Sequence, residues 1–190
     1  MEDRDLMCEE ISTEHIVQDE WIDFRRSAFR FPDGRVFQPY YTFTRRNYSV
    51  IVASDEEGKF LCVRQFRQGI RQVTNEFPAG AIESKDGGAS WEAALEGARR
   101  ELREETGYVS DHWTPLMVIP SNATISDNYA YLFRAENCRR AADQDLDETE
   151  LIDVRKYTAE ELDEMIRKGQ FQQAVHILAW LLAGRDGTIR

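Results

Sequence analysis

E-A-A-L-E-G-A-R-R-E-L-R-E-E-T-G-Y, residues 92–108, is a helical sequence that ends on a glycine. Ala94, Leu95, Ala98 and Leu102 recur at helical spacing and supply an apolar face, and Gly107 suits the position just past the last turn. Glu101 and Glu105 are four apart, Glu101 and Glu104 three apart, so the three carboxylates project from neighbouring positions on one face. Like charges so close repel. Something positive is expected among them, and a divalent cation held by oxygen ligands is the candidate. Gly97, one turn before Glu101, leaves room on that face for an approaching backbone or ion. The plainer alternative is a solvated surface helix, with Arg99, Arg100 and Arg103 pairing with Glu96 and Glu104.

The spacing decides against that alternative. Glu92, Arg100, Glu101, Leu102, Glu104, Glu105, Gly107 and Tyr108 follow a pattern that resembles the signature of the Nudix hydrolases, G-x5-E-x7-R-E-U-x-E-E-x-G-U with U aliphatic or aromatic. Six fixed identities would match by accident with a probability on the order of 10⁻⁵ at ordinary residue frequencies. The pattern's first glycine would fall on Asp86. Gly80, within Pro78-Ala79-Gly80-Ala81-Ile82-Glu83, takes its role, and six extra residues fall in the loop Ser84 to Ser90, where an insertion is tolerated at small entropic cost.

The resemblance implies hydrolysis of a nucleoside diphosphate linked to another moiety, as in the branch that acts on ADP-ribose and nucleoside-diphosphate sugars. The products are a nucleoside monophosphate and a sugar phosphate. It implies Mg²⁺, with Mn²⁺ as a substitute, held by Glu101, Glu104, Glu105 and the backbone carbonyl of Ala79, with Glu104 also among the catalytic groups. Arg100 is implied as a partner that orients the carboxylates. The general base of such enzymes lies in an acidic loop after the signature. Asp145-Leu146-Asp147-Glu148-Thr149-Glu150 stands at that distance, with Glu150 the first candidate and Glu148 the second.

Upstream, Val63-Arg64-Gln65-Phe66-Arg67 resembles the branch's strand in which the arginine meets substrate phosphate. In an alternating strand Gln65 and Arg67 share a face, and a guanidinium matches phosphate geometry. Glu76 sits where the branch has an additional acidic residue near the metals, and Asp127 where the branch has an acidic residue in the loop after the signature; the resemblance implies Arg67, Gln65, Glu76 and Asp127 as substrate-binding residues. Ser121-Asn122-Ala123 replaces the branch's S-P-G, so the base and sugar stay open. The alternatives are a dinucleoside polyphosphate or housecleaning nucleotide as substrate, or a non-catalytic Nudix module that binds a nucleotide and signals. The intact Glu101, Glu104 and Glu105 set speaks against the last.

Composition sets outer limits. The 190-residue chain carries a net charge of −11, which argues against nucleic acid or an anionic membrane as partner and leaves a small-molecule diphosphate to be met by cations or local arginines. Cys8, Cys62 and Cys138 form no C-x-x-C pair, and no basic-then-apolar leader opens the chain, so a cytoplasmic protein with free thiols is expected. His15, His112 and His176 form no metal motif, and neither a G-x-S-x-G nor a P-loop sequence occurs.

The expected organisation is a tail or short helix over 1–20, an N-terminal β-hairpin annex over 21–45 turning at Pro32-Asp33-Gly34, and the Nudix hydrolase domain over 46–190. Strands are expected near 47–54, 59–66, 72–77, 113–119, 128–135 and 150–156, the signature helix over 90–106, and closing helices over Ala159 to Lys168 and Phe171 to Leu182. The fold class expected is α+β, a Nudix-type α/β/α sandwich with a mixed sheet preceded by an N-terminal antiparallel hairpin or sheet. The resemblance and the aromatic hairpin (Trp21, Phe29, Phe37, Tyr40, Tyr41) together imply a homodimer.

Overall fold

The computed structural model describes residues 2–83 and 90–184, so most of the expected insertion, Ser84 to Ser90, lies outside the described residues. The chain divides into two units, Met1–Arg46 with Pro120–Tyr129, and Asn47–Ile119 with Ala130–Arg190.

The first unit carries three antiparallel strands in order, β1 (Glu9–Gln18), β2 (Asp23–Arg30) and β3 (Val36–Thr44). The hairpin β2–β3 turns at Gly34, whose φ of 86° lies in the left-handed region. β1 corrects the expectation of a tail or short helix before residue 20. Every residue of it is exposed, so no buried apolar alternation marks it as a strand. Its pairing with β2 and cross-strand contacts hold it instead: Arg30 to Glu9, Arg26 to Glu14, Ser27 to Glu10 and His15 to Asp23. Stacked Phe24 and Tyr41 and the edge-on Phe29 and Tyr40 tie β2 to β3.

The second unit is built on a mixed sheet. Its described path runs β11 (Asp153–Tyr157), β5 (Phe60–Arg67), β4 (Tyr48–Asp55), β10 (Tyr129–Arg140) and β8 (Tyr108–Val109). β6 (Gln72–Glu76) pairs with β5, β7 (Ala79–Ala81) with β4, and β9 (His112–Pro120) with β10. β4 and β10 run parallel, which puts them at the centre of the sheet with both faces covered. Alternation along them then sorts side chains into two cores. Ile51, Ala53, Tyr131 and Phe133 pack under α1 (Trp91–Thr106) with Ala94, Ala98 and Leu102. Val50, Val52, Ala130 and Leu132 pack on the opposite face under α2 (Ala159–Arg167) and α3 (Ala174–Ala183), with Leu162, Phe171 and Trp180. Phe77 joins this second core against Phe171 and Trp180, ring centroids 5.0 and 6.0 Å away. The expected α/β/α layering and mixed sheet are therefore present. Among the described residues no helix is long and apolar enough to cross a membrane.

Local chemistry sets the ends of the signature helix. Ser90 caps it by accepting from the Ala93 N–H at 3.1 Å. Gly107 ends it with a φ of 76°, its N–H donating to Arg103 O at 2.8 Å. The same glycine carbonyl accepts from Ala141 and Ala142, whose backbone lies so close that a Cβ on Gly107 would be 2.3 Å from Ala142 O. Gly107→Ala is expected to lower the unfolding free energy by about 2 kcal/mol, from left-handed strain and the displaced 141–142 backbone. Urea titration reads this, and a change under about 0.5 kcal/mol, within the range of an ordinary surface substitution, would show that the cap tolerates a side chain.

Candidate active site

Three elements of the second unit meet around the carboxylates of α1. The helix presents Glu101 and Glu105, which are only 8% and 3% exposed, against the backbone of β7. Glu105 Oε2 accepts from the Ala79 N–H at 3.0 Å. The Glu101 carboxyl group lies over Gly80, where a Cβ would stand 1.9 Å from its carboxyl carbon. Only a glycine leaves that space, which gives Gly80 a physical reason to stand where the signature's first glycine was placed. Gly97 is buried on the same helix.

Arg100 organises this face. Its Nη1 lies 2.8 Å from Glu101 Oε1 and 2.7 Å from Glu104 Oε2, while Nη2 donates to Ala81 O at 3.0 Å. One guanidinium thus ties two of the three carboxylates to β7. It does not offset all of their charge. Burial pushes Glu101 up to about 7 despite Arg100, with Glu104 and Glu150 adding to the rise. Burial, then Glu101, raises Glu105 well above the ordinary carboxylate range despite the Ala79 N–H. A buried pocket of oxygen donors short of positive charge suits a hard divalent cation. Among the described residues no group of three or more His, Cys, Asp or Glu side chains is already set around one point to hold a metal ion. Glu104 instead faces Arg100.

The loop after β10 reaches the same end of α1. Gln144 donates from Nε2 to Glu105 O at 2.7 Å, and Asp145 N–H donates to Glu104 O at 2.9 Å. These bonds satisfy carbonyls of the last helical turn and fix where the acidic loop leaves the helix. Glu150 is exposed, receives the Asp147 N–H at 3.1 Å, and its charge acts on Glu101, Glu105 and Arg67. Glu148 is exposed in the same loop. Arg100 and Glu104 also line a cleft of about 790 Å³ together with Arg99, Arg103, Trp113 and Gln144.

Arg67 and Glu76, separate candidates in the sequence, form a single unit. Arg67 Nε and Nη2 donate to the two Glu76 oxygens at 2.8 and 2.5 Å in a forked pair. Glu76 is fully buried, yet the pairing holds its carboxyl below the ordinary range against the opposing effect of burial. Gln65 lies opposite Thr74 on the neighbouring strand. Sequence reasoning missed Thr74, Gln144 and Gln173 as supports of the site. Asp127 belongs to the first unit, where Arg25 Nη2 and Thr44 Oγ1 donate to its Oδ2 at 2.8 and 2.7 Å.

Gly80→Ala tests the carboxylate cradle. The atom in the way is the end of a flexible side chain, so Glu101 is expected to swing aside and the fold to survive. Affinity for Mn²⁺ should fall about tenfold or more, as displaced ligand geometry typically costs, with the melting temperature within a few degrees of wild type. Unchanged Mn²⁺ affinity by calorimetry would separate Gly80 from cation binding.

Comparison with known proteins agrees with this geometry. The family model of the NUDIX domain matches residues 43–181. The chain is 27% identical over 165 residues to the ADP-ribose pyrophosphatase of Bacillus subtilis (strain 168), covering 86% of this chain and 85% of that protein. It is 25% identical over 171 residues to the methanol dehydrogenase activator of Bacillus methanolicus, covering 89% and 88%. It is 35% identical over 107 residues to the ADP-sugar pyrophosphatase of Mus musculus, covering 51% and 46%. The crystal structure of an ADP compounds hydrolase superposes with a TM-score of 0.80 at 19% identity over 96% of this chain and 98% of that one, a likeness of fold. With a buried pair of signature carboxylates on a capped helix and a domain match across most of its length, the chain belongs to the Nudix family and is a pyrophosphohydrolase of it.

Proposed function

We propose that the protein hydrolyses a nucleoside diphosphate joined to a sugar, of the nucleoside-diphosphate-sugar or ADP-ribose type, in a Mg²⁺-dependent reaction that yields a nucleoside monophosphate and a sugar phosphate. The observation that carries this reading is the pair of buried, under-compensated carboxylates Glu101 and Glu105 over Gly80. The two relatives that act on ADP-ribose and ADP-sugars, by their names, support the substrate class. Glu101, Glu104, Glu105 and the Ala79 carbonyl would hold Mg²⁺, or Mn²⁺ in its place. Bound there, the ion neutralises diphosphate charge and acidifies the attacking water.

The chain's own residues supply the rest. Glu150 receives the proton of the attacking water, with Glu148 as its alternate in the same loop. Arg67 donates to a substrate phosphate from the edge that Glu76 does not use, and Gln65 lines the same face of β5. Asp127, held by Arg25 and Thr44, is proposed as a substrate-binding residue. A homodimer is part of the proposal. The first unit leaves Ile11, Ile16, Val17, Val36 and Phe37 exposed on a small sheet whose first strand buries nothing, a surface suited to a second copy. The cytoplasm, where Cys62 and Cys138 stay reduced, is the proposed location.

One observation favours a second reading, in which the bound nucleotide serves as a signal to a partner: the relative of comparable coverage that is named an activator. Incubation with Mg²⁺ and a panel of ADP-ribose, GDP-mannose, UDP-glucose, NADH and diadenosine polyphosphates separates the two. Release of nucleoside monophosphate from an ADP-ribose-like member is expected, and binding across the panel without turnover would support signalling. Glu105→Gln is expected to lower kcat about a hundredfold or more. Without divalent cation the same change should raise the melting temperature, because a neutral amide bears neither the cost of burying a charge nor that of taking up a proton on folding, while its oxygen still accepts from Ala79. Wild-type turnover at saturating Mg²⁺ would remove Glu105 from the site.

A further inference from the structure

Arg67 has two edges that can engage an oxyanion side by side, one formed by Nε and Nη2 and the other by Nη1 and Nη2. Glu76 takes the first. Among the described residues nothing takes the second, on a side chain that is 36% exposed and whose charged neighbours include Glu105 and Glu150. Glu76 itself is crowded with donors. Its Oε1 accepts from Arg67 Nε at 2.8 Å, Thr74 Oγ1 at 2.5 Å and Gln173 Nε2 at 3.3 Å. A carboxylate so committed is poorly placed to ligate a metal and well placed to hold a guanidinium in one orientation.

The helix on the far face of the sheet contributes to this hold. Gln173 occupies the N-cap of α3 yet makes no side-chain cap bond, and its amide goes to Glu76 instead. Around it the chain zips onto β6 and the residue after it. Asn75 Nδ2 donates to Gln170 O at 2.9 Å, and Asn75 bridges Phe171. The Phe77 N–H donates to Nδ1 of the buried His176 at 3.1 Å. Three successive residues, 75 to 77, are therefore fixed by the segment 170–176.

We propose that Glu76, Thr74 and Gln173 are positioning residues that clamp Arg67 side-on, so that its free edge meets the substrate's diphosphate. The proposal rests on Arg67 being the phosphate ligand, as read above. It assigns Glu76 to the arginine rather than to the metal, and makes the first turn of α3 part of the site.

The test uses the full chain with Mg²⁺, measuring KM and kcat for ADP-ribose, and Kd for inorganic pyrophosphate by calorimetry, which needs no turnover. Thr74→Val and Gln173→Met are each expected to raise KM and the pyrophosphate Kd about tenfold while kcat stays within about threefold. Thr74→Ser, which keeps the hydroxyl, should restore most of the affinity. The double variant should lose less than the product of the single losses, because both act through one carboxylate. Gln173→Met alters a half-buried helix-cap position and keeps the test open if Thr74→Val folds poorly. Singles that bind pyrophosphate like wild type while Arg67→Ala does not would overturn the clamp and spare Arg67 as ligand. An Arg67→Ala variant with unchanged Kd would overturn both. The expected Kd pattern without hydrolysis of any diphosphate would uphold the clamp and sink the hydrolase reading.

Discussion

Two carboxylates buried four residues apart on one helix face are the constraint that the rest of this structure serves. Charges removed from water without full compensation are costly, and here the compensation is partial: one backbone N–H for Glu105 and a shared guanidinium for Glu101. Their place on the helix makes matters worse. Glu104 and Glu105 lie in the last turn of α1, where the helix dipole disfavours negative charge. Intrinsic preference would not put these residues there. Ala94, Ala98 and Leu102 packed beneath β4 and β10, the Ser90 cap and the Gly107 stop supply the stability that the acidic face lacks.

The central strands explain how both sides of the sheet come to serve one site. β4 and β10 bury both faces, so alternate residues anchor α1 on one side and α2 with α3 on the other. The strand end at Phe77 and the β7 backbone at Ala79 and Gly80 are only a few residues apart. The first is fixed by α3 through His176, and the second receives the carboxylates of α1. Shifting either helix would therefore move the strand ends that set the spacing between Arg67 and the acidic pair.

What was legible in the sequence was local. The helix from Trp91 to Thr106, its apolar stripe, its glycine stop and the shared face of Glu101 and Glu105 follow from periodicity over a few turns. The β2–β3 hairpin followed from its turn residues. The Arg67–Glu76 pair was not legible, because it depends on the register of β5 against β6 and on a turn in which Arg71 adopts a φ of 56°. Gln173 is further still, nearly a hundred residues from its partner. β1 escaped for the opposite reason: nothing in it is buried, so no hydrophobic pattern betrays it. The acidic loop was located by its composition, but the Gln144 and Asp145 bonds that moor it to α1 required the fold.

Charge accounting ties the site together. The chain as a whole is strongly acidic, with a net charge of −11, and long-range attraction for a diphosphate is absent. Arg67 does not supply it either, since the buried Glu76 neutralises the pair. What Arg67 keeps is direction: two N–H groups on a rigid edge, aimed by a carboxylate that two further donors, Thr74 and Gln173, hold in place. In the proposed reading neutralisation of the substrate falls to cations, and the buried Glu101 and Glu105 are where positive charge is lacking. In the division proposed here the arginine orients and the acidic pair recruits charge, so neither half alone would bind a diphosphate well.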